Sequence, residues 1–101
     1  MVKHIILWTL NPELSEEEKQ DVKTDIKIGL EGLVGKVPGL IDVKVHIDGR
    51  IASSTADLML DCTLDDEEAL KVYAQHPEHV AVASTKVRPY TVQRACLDFV
   101  Q

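Results

Sequence analysis

The order of apolar patterns along this chain predicts an α+β domain of the ferredoxin-like, split βαβ type, with an antiparallel four-stranded sheet. Three observations carry that reading. Period-two runs and helical-period runs follow one another in the order β-α-β-β-α-β, with a short extra helix before the last strand. No repeat, low-complexity tract or linker interrupts them, and the one loop-like connection, Gly49 to Thr55, is short enough for a hairpin. The 101 residues hold one domain with one modest core.

Val2 to Leu10 is apolar on both parities, with Val2, Ile6 and Trp8 on one face and Ile5 and Leu7 on the other, as expected of a central strand. Ser15 followed by Glu18 fits a capping box, and three successive glutamates suit the positive end of a helix. From there Val22, Ile26, Leu30, Leu33 and Val37 draw one apolar stripe, which Pro38 and Gly39 stop. Ile41 to Asp48 alternates, with Ile41, Val43, Val45 and Ile47 on the inner side, and predicts an edge strand. Ala56 to Leu64 repeats the alternation. The run DDEEALKVYAQ then gives a capped second helix with Ala69, Leu70, Val72 and Tyr73 inside. Pro77 suits the first position of a short helix reaching about Thr85, and a last strand runs from about Thr91 to Val100.

In this topology the first and third strands lie in the middle and both helices cover one face of the sheet. The open face is expected to carry Ile6, Trp8, Leu58 and Leu60, more apolar surface than a soluble monomer exposes. A second copy of the chain, paired face to face about a twofold axis, is the expected cover.

A composition of 45% hydrophobic and 28% charged residues is that of a globular protein. The net charge of −6, with 11 scattered Lys and Arg, argues against nucleic acid and anionic membranes as partners. The N-terminal run has neither the charged region nor the cleavage site of a secretion signal, and no stretch is long enough to span a bilayer. Cys62 and Cys96 are too few for a disulfide framework, and the third and fourth strands are not neighbours, so a cytoplasmic protein with free thiols is expected.

The segments VKHIILW, KVPGLIDVKV and, above all, DDEEALKVYAQHPEHVAV resemble the stress-responsive A/B barrel family, the dimeric α/β-barrel or Dabb domain. The resemblance spans nearly the whole chain. It implies two ferredoxin-like subunits pairing their sheets into a barrel with an internal cavity. The family includes plant stress-induced proteins and a polyketide cyclase of the olivetolic acid type, which closes a ring by aldol condensation without a cofactor. Haem and quinone monooxygenases share the barrel fold. Fold is implied more firmly than function.

Tyr73, His76 and His79 form the densest chemical cluster in the sequence. Tyr73 and His76 are one helical turn apart, and His76 and His79 straddle Pro77. In the first turn of a helix His79 would stay neutral and serve as a base next to a carbonyl. Tyr73 would then donate to the developing oxyanion. His4 shares the strand parity of Ile6 and Trp8 and would orient a bound carbonyl. The cyclase resemblance implies the same roles for Tyr73, His79 and His4. It also implies a drier and smaller pocket, because Leu58 stands where the cyclase has a histidine and Trp8 replaces a smaller aliphatic residue.

The expected function is a homodimeric barrel with an apolar cavity that performs cofactor-independent acid–base chemistry, aldol or enolisation, on a small carbonyl or polyketide-like compound. The expected catalytic set is His79, Tyr73 and His4, with Ile6, Trp8, Leu58, Leu60 and His76 around the ligand. The alternative is a stress-responsive ligand-binding or structural protein without catalysis. There Tyr73 covers the helix–sheet seam, His76 caps the preceding helix and His79 bonds to backbone. His4, His76 and His79 are also three imidazoles of the kind zinc takes, although no acidic or thiol ligand is evident beside them. The resemblance further implies a structural Mg²⁺ on the main-chain carbonyls of Val34, Val37 and Leu40; otherwise no cofactor is expected. His46, beside Lys44 and Asp48, is read as solvent-exposed, and Phe99 as a core or interface aromatic.

Overall fold

In the computed structural model, which describes residues 1–101, nine residues of mixed parity form the first strand, β1 (Val2–Leu10). Helix α1 (Glu16–Glu31) follows, then β2 (Leu40–His46), β3 (Leu58–Leu64), α2 (Glu67–Gln75), α3 (Pro77–Val82) and β4 (Thr91–Val100). One π-helical turn, Ala83–Val87, and one 3₁₀ turn, Arg88–Tyr90, link α3 to β4. The strands form one sheet in the order β2-β3-β1-β4 with all neighbours antiparallel, which is the ferredoxin-like arrangement.

Local chemistry sets the element ends. Ser15 accepts from the Glu18 amide while the Glu18 carboxylate accepts from the Ser15 amide, a complete capping box. Asp66 caps α2 through the Ala69 amide at 2.8 Å. Helix α1 ends at Glu31, short of the predicted Val37, because Gly32 closes it and Gly35 adopts φ +90°. Leu33 and Val37 are still buried, packed from the following turns. At Gly39, φ is +80° and a Cβ would stand 2.6 Å from that of Ala69, so only glycine lets the start of β2 pass α2.

Helix α1 is tied to the edge strand by polar groups. Glu31 Oε2 accepts from the Val45 amide at 2.9 Å and from Lys27 Nζ at 2.7 Å, and Lys27 also donates to the Val45 carbonyl. The connection between β2 and β3 is braced by Arg50, which donates to the carbonyls of Ala56 and Ser54.

Residues opposite one another across a ladder share a face. Ile6 faces Leu60 and Cys96, Trp8 faces Leu58 and Arg94, and His4 faces Cys62 and Asp98. Ile6, Trp8, Leu58 and Leu60 are all buried with Val22, Ile26 and Leu30 in one core. They therefore lie beneath the helices, which corrects their expected placement on the open face. On a strand apolar on both parities, alternation separates two faces without saying which one the helices cover.

The open face instead carries Ile5 and Leu7 of β1, Met59 of β3, and Ala95, Leu97 and Phe99 of β4. Leu7, Leu97 and Phe99 are 42%, 62% and 42% exposed, an apolar patch flanked on β2 by Asp42, Lys44 and the exposed His46. A shift of register between Leu40 and Asp42 turns Leu40 inward and leaves Ile41 exposed, against the predicted parity.

Candidate active site

The helix layer leaves the inner face of β4 uncovered, so Arg94, Cys96 and Asp98 are exposed although they share the face of the buried Trp8, Ile6 and His4. Next to them, between the sheet and the helices, lies a cavity of about 450 Å³. Its floor is His4, Ile6, Trp8 and Leu60. Leu30, Leu70, Tyr73 and His79 of the three helices form its walls with the buried Val87, and Arg88, Thr91 and Arg94 complete it on the solvent side. Trp8 lines this space without filling it. Leu58 and His76, both expected around the ligand, are not part of the lining.

His4, Tyr73 and His79 converge here from β1, α2 and α3. The His4 and Tyr73 ring centroids are 6.0 Å apart, edge to face, and those of Tyr73 and His79 are 4.3 Å apart. The Tyr73 hydroxyl and His79 Nδ1 are both buried without a hydrogen-bond partner, a costly condition for polar atoms unless something in the cavity satisfies them. Burial drives the Tyr73 phenol well above its ordinary pKa, so it remains an O–H donor at any physiological pH.

Burial likewise pushes the His79 pKa below the ordinary imidazole value. The Ala74 carbonyl opposes that effect, while the positive charges of Arg88 and Arg94 reinforce it. Desolvation is thus the leading influence that favours neutral His79.

His4 is buried and its Nδ1 contacts the Asp98 carboxylate. Contact with Asp98 through Nδ1 orients the His4 ring and leaves its other nitrogen free to meet a ligand. Asp98 also accepts from the Cys96 thiol at 3.4 Å, so an acidic group and a thiol do stand beside His4. The ligand atoms of His4, Cys96 and Asp98 lie within 4.8 Å of one another, and no other group of three or more His, Cys, Asp or Glu could hold a metal.

The three imidazoles considered as zinc ligands are not such a group. His76 Nδ1 instead accepts from the Glu78 amide at 3.1 Å and caps α3, while its backbone N–H donates to the Tyr73 carbonyl and closes the preceding helix, as the non-catalytic reading expected. At the end of α1, the Val37 carbonyl accepts from the Leu40 amide at 3.2 Å, and the only clustered acidic, thiol or imidazole ligands lie at His4. A hard cation such as Mg²⁺ would rest there chiefly on main-chain oxygens and water. Both cysteines are free; burial leads in pushing the Cys62 thiol up to about 12.

The family model of the stress responsive A/B barrel domain matches residues 2–101. The chain belongs to that family. Among solved structures, this A/B barrel chain is similar to a dimeric protein of unknown function with a ferredoxin-like fold from Bacteroides fragilis. The identity is 33% and the TM-score 0.88, covering 97% of this chain and 93% of that one. It is also similar to a dimeric ferredoxin-like protein of unknown function from Thermobifida fusca, at 24% identity and TM-score 0.79, over 99% and 90% of the two chains. A hydroxynitrile lyase from Passiflora edulis shares the fold at 15% identity and TM-score 0.75, over 99% and 92%. No curated protein matches the sequence. No helix of the A/B barrel chain is long and apolar enough to cross a membrane.

Sequence reasoning missed Arg88, Arg94 and Asp98 at this site. The last strand held a signal for two of them: Arg94, Cys96 and Asp98 occupy one parity while Ala95, Leu97 and Phe99 occupy the other. Such a strand turns its apolar side to one layer and its polar side to a cleft.

Proposed function

We propose that this A/B barrel chain acts as a homodimer and that each cavity carries out cofactor-independent acid–base chemistry on a small carbonyl compound. One observation carries the reading: the unpartnered Tyr73 hydroxyl and His79 Nδ1 meet in a single, mostly apolar cavity beside His4. His79 takes a proton from the carbon next to the carbonyl. The C–H electron pair becomes the new C=C bond while the C=O π pair moves onto the oxygen, and Tyr73 donates a hydrogen bond to the enolate as it forms. His4, held by Asp98, positions the carbonyl. The enolate carbon then adds to a second carbonyl, as in an aldol closure, and the resulting alkoxide takes the proton from His79, or the enolate is itself reprotonated by His79. No metal is required by this scheme, and a cation at Val34, Val37 and Leu40 would be structural.

The neighbours from B. fragilis and T. fusca, both dimeric, and the apolar open face support the homodimer. The lyase of the same fold supports the chemistry at the level of fold alone. Nine of the 14 lining residues are hydrophobic, which favours a second reading in which the cavity only holds an apolar ligand.

Hydrogen–deuterium exchange at the α-carbon of phenylacetone, followed by proton NMR in D₂O, separates the two readings. The parent protein should accelerate exchange by about 10²-fold or more over buffer, the scale of general-base catalysis. His79→Ala and Tyr73→Phe should each remove most of that acceleration. Equal rates in parent and variants would discard the catalytic assignment and leave the binding reading.

A further inference from the structure

The solvent side of the cavity differs chemically from its interior. Arg88, from the 3₁₀ turn, and Arg94, from β4, both line it with Thr91 between them in sequence. Neither guanidinium pairs with a carboxylate, and Arg94 has only the Cys96 thiol beside it, whereas Arg50 is held by two carbonyls and Asp57. The nearest acidic group on that strand face, Asp98, is engaged by His4 and Cys96. In a chain of net charge −6, two cations without a carboxylate partner therefore line one opening. Both act on the His79 ring as positive charges, which places them within electrostatic reach of the reacting end.

We infer that Arg88 and Arg94 form an anion-binding subsite, and that the natural ligand is a small apolar molecule bearing a carboxylate. The guanidinium fork matches the two oxygens of a carboxylate, and an opening with two such forks can grip one end of a molecule while the rest is buried. The apolar floor of Ile6, Trp8 and Leu60 takes the body, and the carbonyl end reaches Tyr73 and His79. This deepens the proposed function by naming the substrate class of the same cavity, although it depends on the cavity rather than on its chemistry.

Calorimetric titration with 3-phenylpropionate and its uncharged twin, 3-phenylpropionamide, tests it. The carboxylate should bind about tenfold tighter than the amide, a preference of the size charge-assisted hydrogen bonds supply. Rising salt should weaken the acid and leave the amide unaffected. In Arg88→Met/Arg94→Met the preference should vanish, the acid binding no tighter than the amide. Arg88→Lys/Arg94→Lys should keep part of it, and this charge-retaining pair serves if the Met variant does not fold.

Equal affinity for acid and amide, no measurable binding of the acid, or a preference that survives loss of both arginines would each overturn the inference. So would 2-phenylethyl phosphate binding more tightly than the carboxylate, which would assign the subsite to phosphate esters. Acid preference without phenylacetone exchange sinks the catalytic reading alone; exchange without acid preference sinks only the subsite.

Discussion

The rings of Tyr73 and His79 lie 4.3 Å apart, inclined by 40°, and each keeps a buried polar atom that bonds to nothing in the protein. Folding alone does not favour that arrangement, since each unpartnered atom destabilises the native state by about 1–3 kcal/mol. The expected signature is a split between stability and function. Tyr73→Phe should leave the chain as stable as the parent, or more so, in a urea titration, while α-carbon exchange collapses. A large loss of stability would mean the hydroxyl has a structural partner.

The depressed pKa of His79 gives a pH dependence of definite sign. Between its native pKa and the ordinary value of 6.5, the unfolded chain binds a proton that the native chain does not. Stability contributed by neutral His79 is therefore complete above about pH 7 and declines as pH falls through that window. Exchange activity should likewise keep its plateau below pH 6.5 before falling. His79→Gln should flatten the stability curve there, as thermal melts across pH 5 to 8 would reveal; an unaltered slope would assign the titration to another group.

Glu31 offers a test of how α1 is held to the edge of the sheet. Its carboxylate bonds both Lys27 and the Val45 amide. Burial raises its pKa, but these two bonds outweigh that and leave the group below the ordinary 4.5. Its stabilisation is present above that value and lost as pH falls through the depressed pKa. Glu31→Ala should cost about 1–2 kcal/mol at neutral pH, the scale of bonds to a charged group, and much less under acid conditions. Chemical denaturation at both pH values provides the comparison, and equal costs would contradict the charged-group account.

The open face predicts where association fails. Leu97 stands opposite Ile5 on that face, with Phe99 beside it. Light scattering should find the parent dimeric, and Leu97→Asp with Phe99→Asp should yield monomers that remain folded, because neither side chain contributes to the core. A monomeric parent at micromolar concentration would refute the pairing.

Much of this was legible in the sequence, for reasons that differ from residue to residue. The capping box at Ser15, the cap at Asp66 and the two-parity β1 are local signals, and the structure reproduces them. Helix spacing grouped Tyr73 with His79, whereas His4 joined them only through the cyclase resemblance, since strand parity aligned it with Ile6 and Trp8 without saying which layer they face. The side of the sheet was not legible, because Ile5 and Leu7 are as apolar as Ile6 and Trp8 and only tertiary packing separates them. Arg88, Arg94 and Asp98 escaped notice for the same reason: their role depends on the helices stopping short of β4. The inward turn of Leu40 follows from a bulge that alternation cannot encode.

The cavity's position between sheet and helices, and not between two sheets, bears on how a dimer would operate. Each copy would own a whole set of His4, Tyr73 and His79, so the twofold partner would supply rigidity without supplying reactive groups. A mixed pair of one intact and one His79→Ala subunit would then work at half the rate of the parent pair. Ligand uptake would run to two per dimer as separate events.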